Sequence, residues 1–148
     1  YDFFCLSSRR RHTSLVSDWC SDVSSSDLPD AHEIELAPGL VGVWTPGHTP
    51  GSSCLHLDRN GGVLFSGRHL LPARNGAPAP LRTAKTFHWF RQLDSVAVLQ
   101  ARFSAETLAR ICPGGSTGYL RGKAAIEDAY AQLAGLDLAA LRSSQALM

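Results

Sequence analysis

Two alternating runs, Ser53-Cys54-Leu55-His56-Leu57 and Val63-Leu64-Phe65, stand on either side of Asp58-Arg59-Asn60-Gly61-Gly62. Period-two alternation belongs to a strand with one buried face, and Asn-Gly and Gly-Gly supply the left-handed backbone that a hairpin turn needs. A chain carrying this signature must pair those strands antiparallel and cover their apolar side. Two more strands are expected ahead of them, a half-buried one over residues 33–36 and another over 40–44, with Pro38-Gly39 turning the chain between them.

The pattern changes further along. Trp89, Leu93, Val96, Ala97 and Gln100 step by three or four, which predicts a helix beginning near Trp89. Ser104 is expected to cap a second, short helix ending near Arg110. Ile111-Cys112 reads as a brief strand, residues 113–118 as a tight loop, and residues 123–134 as an amphipathic helix stopped by Gly135. A weak helix is expected over 138–147, and residues 72–80 read as loop. Antiparallel strands followed by helices make an α+β arrangement. One helical layer on so small a sheet leaves a face bare, so half a domain is expected to be missing.

Composition narrows the function classes. The 148 residues include 14 basic and 13 acidic side chains, a net charge of +1. That balance does not favour nucleic acid or a membrane surface as partner. No apolar run approaches the length of a membrane span, and the N-terminus lacks the order of a secretory signal. Four widely spaced cysteines, Cys5, Cys20, Cys54 and Cys112, form no CxxC pair, which suits a reduced, cytoplasmic setting.

Residues 1–28 differ from the rest. They hold eight serines, the run Arg9-Arg10-Arg11-His12 and no apolar repeat. A basic arm for nucleic acid is one reading, but four aspartates outnumber the three arginines. The string from Phe3 through Thr13, continuing to Ser24-Ser25-Ser26-Asp27-Leu28-Pro29, resembles translated sequencing-adapter DNA. Residues 1–28 are therefore expected to be an artefactual or disordered leader, with the domain occupying 29–148.

The segment richest in chemistry is Thr45-Pro46-Gly47-His48-Thr49-Pro50-Gly51-Ser52. A histidine between two Pro-Gly turns, just after a strand, sits on a stiff loop with its imidazole available, as metal ligation requires. By composition alone, a loop histidine bonded to backbone is the commoner outcome. The octapeptide closely resembles the third metal-ligand motif of the metallo-β-lactamase-fold superfamily, especially its glyoxalase II-like hydrolases. Val63-Leu64-Phe65-Ser66-Gly67 and the Cys112-Pro113-Gly114 loop resemble that superfamily's next segments, in order, over roughly residues 33–134. The resemblance implies the C-terminal half of an αββα sandwich. It also implies that His48 is one of three imidazoles on a zinc ion.

The departures from the family pattern bear on the site. Where the family places a metal-bridging aspartate this chain has Arg68, which cannot ligate a cation. His69, next to it, is a candidate substitute ligand; a half-buried structural histidine is the blander reading. Gly115 and Ser116 stand where the family has the histidine of Pro-Gly-His-Gly. The HxHxDH segment is not found, and would lie upstream of residue 29. Cys54 and His56 share a strand face and are explained by packing without metal, His88 reads as a helix-start residue, and Cys112 as a buried apolar one.

Between Asp58 and Asp94 the chain has no acid but six bases, Arg59, Arg68, Arg74, Arg82, Lys85 and Arg91. Arg68 and Lys85 are the candidate substrate-binding residues, for a small anionic or ester-type substrate. The expected activity is that of a full-length parent hydrolase acting on an ester, thioester or lactone-like bond at one zinc ion, the present chain alone being expected to hold no metal and to be inactive. The competing expectation is a non-catalytic binding module that has lost its metal site. An arginine-lined anion pocket without metal is a third.

Overall fold

The computed structural model describes residues 33–143. The reading of residues 1–28, and the entry of the domain at Pro29, lie outside the described residues. Strands β1 (Glu33–Ala37), β2 (Leu40–Trp44), β3 (Ser53–Leu57) and β4 (Val63–Gly67) come first. Next are the short β5 (Leu71–Pro72) and β6 (Pro78–Ala79), then helix α1 (Trp89–Arg102) and β7 (Arg110–Pro113). A 3-10 turn (Thr117–Leu120), β8 (Ile126–Glu127), α2 (Ala129–Ala134) and α3 (Leu138–Ser143) complete the described chain.

Six strands form one sheet in the order β1-β2-β3-β4-β7-β8. The expected hairpin is there, with Leu57 opposite Val63 and Leu55 opposite Phe65. All neighbours are antiparallel except β4 and β7, which run parallel because α1 carries the chain back across the sheet between them. The fold is mixed α+β, with an antiparallel-dominated sheet followed by helices.

One sheet face makes the core. Val43 pairs with Cys54, Leu64 with Ile111, and Ile111 with Ile126, and all five are buried. Val96 and Leu99 of α1 and Ala129 and Leu133 of α2 join the same apolar cluster. α1 turns its stripe of Trp89, Leu93, Val96 and Leu99 inward, and His88 caps it by accepting the Arg91 N–H at Nδ1, 3.1 Å. The opposite face carries Ile34 and Leu36, 46% and 54% exposed, with Leu40, Leu55, Leu57, Val63 and Phe65 only partly buried. β1 is thus exposed along its whole length rather than half-buried, because Ile34 and Leu36 point to that second face.

Four further expectations are corrected. Residues 104–110 form no helix: Ser104 and Thr107 close a turn on each other, and Ala109 is drawn to the carbonyls of Gly61 and Gly62. The predicted helix over 123–134 begins only at Ala129, because Ile126 pairs with Ile111 at the sheet edge and Asp128 is left-handed, φ 48°. Residues 72–80 contain a small hairpin, β5 with β6, around Asn75-Gly76. Cys112 is half-buried rather than buried. The helix placed over 138–147 is seen as α3, with 144–147 outside the described residues.

Candidate functional site

β2, β4 and β7 point the same way, since β2 is antiparallel to β3, β3 to β4, and β4 is parallel to β7. Their C-terminal ends therefore share one edge of the sheet. The loops leaving that edge carry His48, then Arg68 and His69, then Gly114, Gly115 and Ser116. Three segments distant in sequence are gathered by strand direction alone.

The His48 loop is tied to itself. Thr45 N–H donates to the Ser52 carbonyl at 2.8 Å, Gly47 N–H to Thr49 at 3.1 Å, and the Thr49 and Ser52 hydroxyls meet at 2.8 Å. It is also docked on the start of α1: Ser95 Oγ donates to the Pro46 carbonyl at 2.8 Å, and the N–H groups of Phe87 and His88 reach the carbonyls of His48 and Gly47. Gly47 is required there, with φ +139° and no room for a Cβ against the Gln92 backbone. His48 is half-buried, and its pKa is lowered, first by burial and then by the Arg68 charge. Both causes favour the neutral imidazole, the form that can ligate a metal.

At the end of β4 the chain folds back. His69 N–H donates to the Ser66 carbonyl at 2.9 Å, and Ser66 Oγ to the Leu70 carbonyl at 2.7 Å. This turn sends Arg68 out to solvent and His69 inward, to 2% exposure. Burial, and secondarily the charge of His48, push the His69 pKa down to about 4. His69 is buried rather than half-buried, and among the described residues neither of its ring nitrogens has a hydrogen-bond partner. The third loop leans on this turn, the Gly114 N–H donating to the Gly67 carbonyl at 2.7 Å.

Arg68 and His69 follow the end of β4 and His48 follows the end of β2, so the structure brings these three to one edge of the sheet. Lys85 stands in a separate exposed turn closed by its N–H on Thr83 Oγ1. His56 and Cys54 are buried in the sheet, as packing predicts. His56 Nε2 lies 3.0 Å from the Thr107 carbonyl, and burial raises the Cys54 thiol to about 12.

Sequence reasoning missed Gln92. It sits in the buried stripe of α1, its Nε2 donates to the His69 carbonyl at 3.2 Å, and its Oε1 is buried without a partner. The signal available was a lone amide three residues after Trp89 and four before Val96, inside an otherwise apolar stripe. Among the described residues no three His, Cys, Asp or Glu side chains cluster as a metal site. The imidazoles on this edge are those of His48 and His69, with Arg68 exposed beside His69. That is part of what zinc takes, not the whole.

No protein-family profile matches the chain, and no curated protein does. A solved structure matches: a metallo-beta-lactamase family protein from Thermus thermophilus. Identity is 25% and the TM-score 0.45, with 72% of this chain covered. The match spans 32% of that protein's length. No helix among the described residues is long and apolar enough to cross a membrane.

Proposed function

We propose that residues 33–143 are the later part of a metallo-β-lactamase-fold hydrolase domain, and that His48 is one ligand of a single zinc ion. The observation that carries this reading is His48 itself. It is a half-buried imidazole on a loop fixed at both ends by backbone bonds, at the sheet edge where the other motif loops converge. A ligand held that rigidly loses little entropy on binding. The remaining ligands would come from residues outside those described.

Zinc, when bound, supplies a Lewis acid that polarises a carbonyl and makes water nucleophilic at neutral pH. The residues of this chain do the rest: His48 holds the ion, and Arg68, exposed beside it, draws a small anionic or ester-type substrate to the edge. Lys85 adds charge to the neighbouring segment, whose Phe87 is bonded to the His48 carbonyl. An ester, thioester or lactone-like bond is the substrate class proposed, in a glyoxalase II-like enzyme of the cytoplasm. The present chain alone is expected to be inactive, having too few ligands.

A second reading follows from Arg68. A guanidinium whose charge lowers the His48 pKa opposes a cation at the same place, and favours a metal-free module that binds an anion. A long read of the source DNA across the codons for Ser26 to Pro29 tests the first premise. A continuous frame encoding two closely spaced histidines supports the hydrolase. Zinc analysis of that longer protein then decides between the readings. A stoichiometric ion lost on His48→Ala supports the enzyme. Anion binding that survives chelator and disappears on Arg68→Ala supports the module.

A further inference from the structure

Arg82, Phe87, His88, Trp89 and Phe90 line an open cleft of about 360 Å3 at the start of α1. Two of these residues are set in place. Trp89 is 6% exposed, and its Nε1–H donates to the Leu141 carbonyl of α3 at 3.1 Å. The Arg82 guanidinium lies 6.0 Å from the centre of the Trp89 ring. Phe87 and Phe90 are 59% and 47% exposed. Two large apolar side chains left in water, on a cleft that also holds a fixed ring and a cation, contribute little to folding and mark a binding surface. We propose that this cleft binds a small aromatic carboxylate, and that it seats the non-reacting end of the substrate beside the His48 loop. The second half of that statement rests on the reading of His48 as a ligand; the binding itself does not.

Each part of such a ligand has its counterpart. A guanidinium lying on an aromatic face takes a carboxylate through paired N–H groups at its edge. Phe87 and Phe90 match an aryl ring, since ring pairs favour edge or offset contacts at about 4.5–7 Å between centroids. His88 already meets Phe90 edge-on at 6.4 Å. The charge along this part of the chain has one sign: within residues 59–93 every charged side chain is basic, which favours an anion. The volume stands at the small end of the range for ligand clefts, about 300–1,000 Å3, and suits one ring with a short acid. The segment is also tied down before any ligand arrives. Thr83 N–H donates to Thr86 Oγ1 at 2.9 Å, and Thr86 Oγ1 to the Leu81 carbonyl at 3.3 Å. The N–H groups of Phe87 and His88, on the His48 and Gly47 carbonyls at 3.1 and 2.9 Å, join the cleft to the His48 loop. A ligand seated there is held at low ordering cost and borders that loop.

The test uses the full 148-residue chain in EDTA, titrated with phenylacetate and followed by NMR of the Trp89 indole N–H and the backbone amides of residues 87–90. These signals are expected to shift saturably, while those of β3 stay in place. Acetate, which lacks the ring, and phenylacetamide, which lacks the charge, are each expected to bind about tenfold more weakly or worse. Arg82→Gln is expected to weaken phenylacetate by about tenfold and to leave phenylacetamide unchanged. Phe87→Ala and Phe90→Ala, both at exposed positions, are expected to weaken phenylacetate by about 2–10-fold each, and they decide the matter where the arginine variant does not fold. Equal binding of acetate or of phenylacetamide overturns the proposal. So do shifts spread over β3 and β4 instead of the cleft, and a titration that does not saturate. With EDTA present, failure of this binding leaves the His48 reading standing. Saturable binding in a longer protein that holds no zinc keeps the cleft as a carboxylate site and removes only its place beside a reaction.

Discussion

His56 and His69 are both buried imidazoles, 6% and 2% exposed, and the environment treats them in opposite ways. His56 lies in the middle of β3, with Nε2 on the Thr107 carbonyl and its ring 4.7 Å from that of Phe103. Its neighbours account for it. His69 lies just past the end of β4, at the edge where the motif loops meet, and among the described residues nothing satisfies either nitrogen. A buried histidine with its partners in place is structural.

The largest expected effects come from the glycines that support the two regions. A Cβ on Gly62, at φ +88°, would overlap the Thr107 carbonyl and displace the group His56 contacts; a Cβ on Gly47 would overlap the Gln92 backbone. Gly62→Ala and Gly47→Ala should each cost about 3 kcal/mol or more in denaturant unfolding. If Gly47→Ala proves mild, the His48 loop is packed more loosely than its hydrogen bonds imply.

Acid comes next. His69 has a folded pKa of about 4 against 6.5 ordinarily, so the unfolded chain binds the proton more readily. Above pH 6.5 His69 is neutral in both states and imposes no penalty; as pH falls towards 4 the unfolded chain takes the proton first, and the folded state loses on the order of 3 kcal/mol in total. Unfolding free energies measured in EDTA across that window should fall with pH, and His69→Leu should flatten the slope. An unchanged slope in the variant breaks the contrast.

Leucine at each histidine gives opposite signs. His56→Leu loses a hydrogen bond and should destabilise by about 1 kcal/mol. His69→Leu removes two unpaired nitrogens and, without metal, should be neutral or stabilising by about 1 kcal/mol. Equal losses at both sites would mean that His69 has a protein partner after all. The smallest effect belongs to neither region. Glu33→Gln removes the paired hydrogen bonds by which Arg102 of α1 holds β1, and the same guanidinium holds the Glu33 carboxyl below its usual range. With the Glu33 side chain 41% exposed, the loss should stay under about 1 kcal/mol, read from the denaturation midpoint.

Local pattern carried much of this fold. The alternation of β3 and β4, the Asn60-Gly61-Gly62 turn and the stripe that starts α1 at Trp89 are local properties, and each element lies where the pattern placed it. The misses share a cause. Ala125, Ile126, Ala129 and Leu133 fit a helical stripe, yet β7 has an open edge that Ile126 satisfies by pairing, and a demand from across the sheet outweighs a local preference. Ser104 fits a helix cap equally well, but Ala109 is held by the hairpin carbonyls of residues 61 and 62.

At the site the division is sharper. Sequence by itself determined that His48 sits on a stiff loop after a strand, and that Arg68 and His69 follow the end of a later one. Tertiary structure decided which of the two adjacent residues turns inward, that Gln92 stands beside His69, and that loops separated by tens of residues leave the same sheet edge. The physical reason is that composition and spacing fix backbone conformation locally, whereas burial and the pairing of polar atoms depend on what the rest of the chain packs against them.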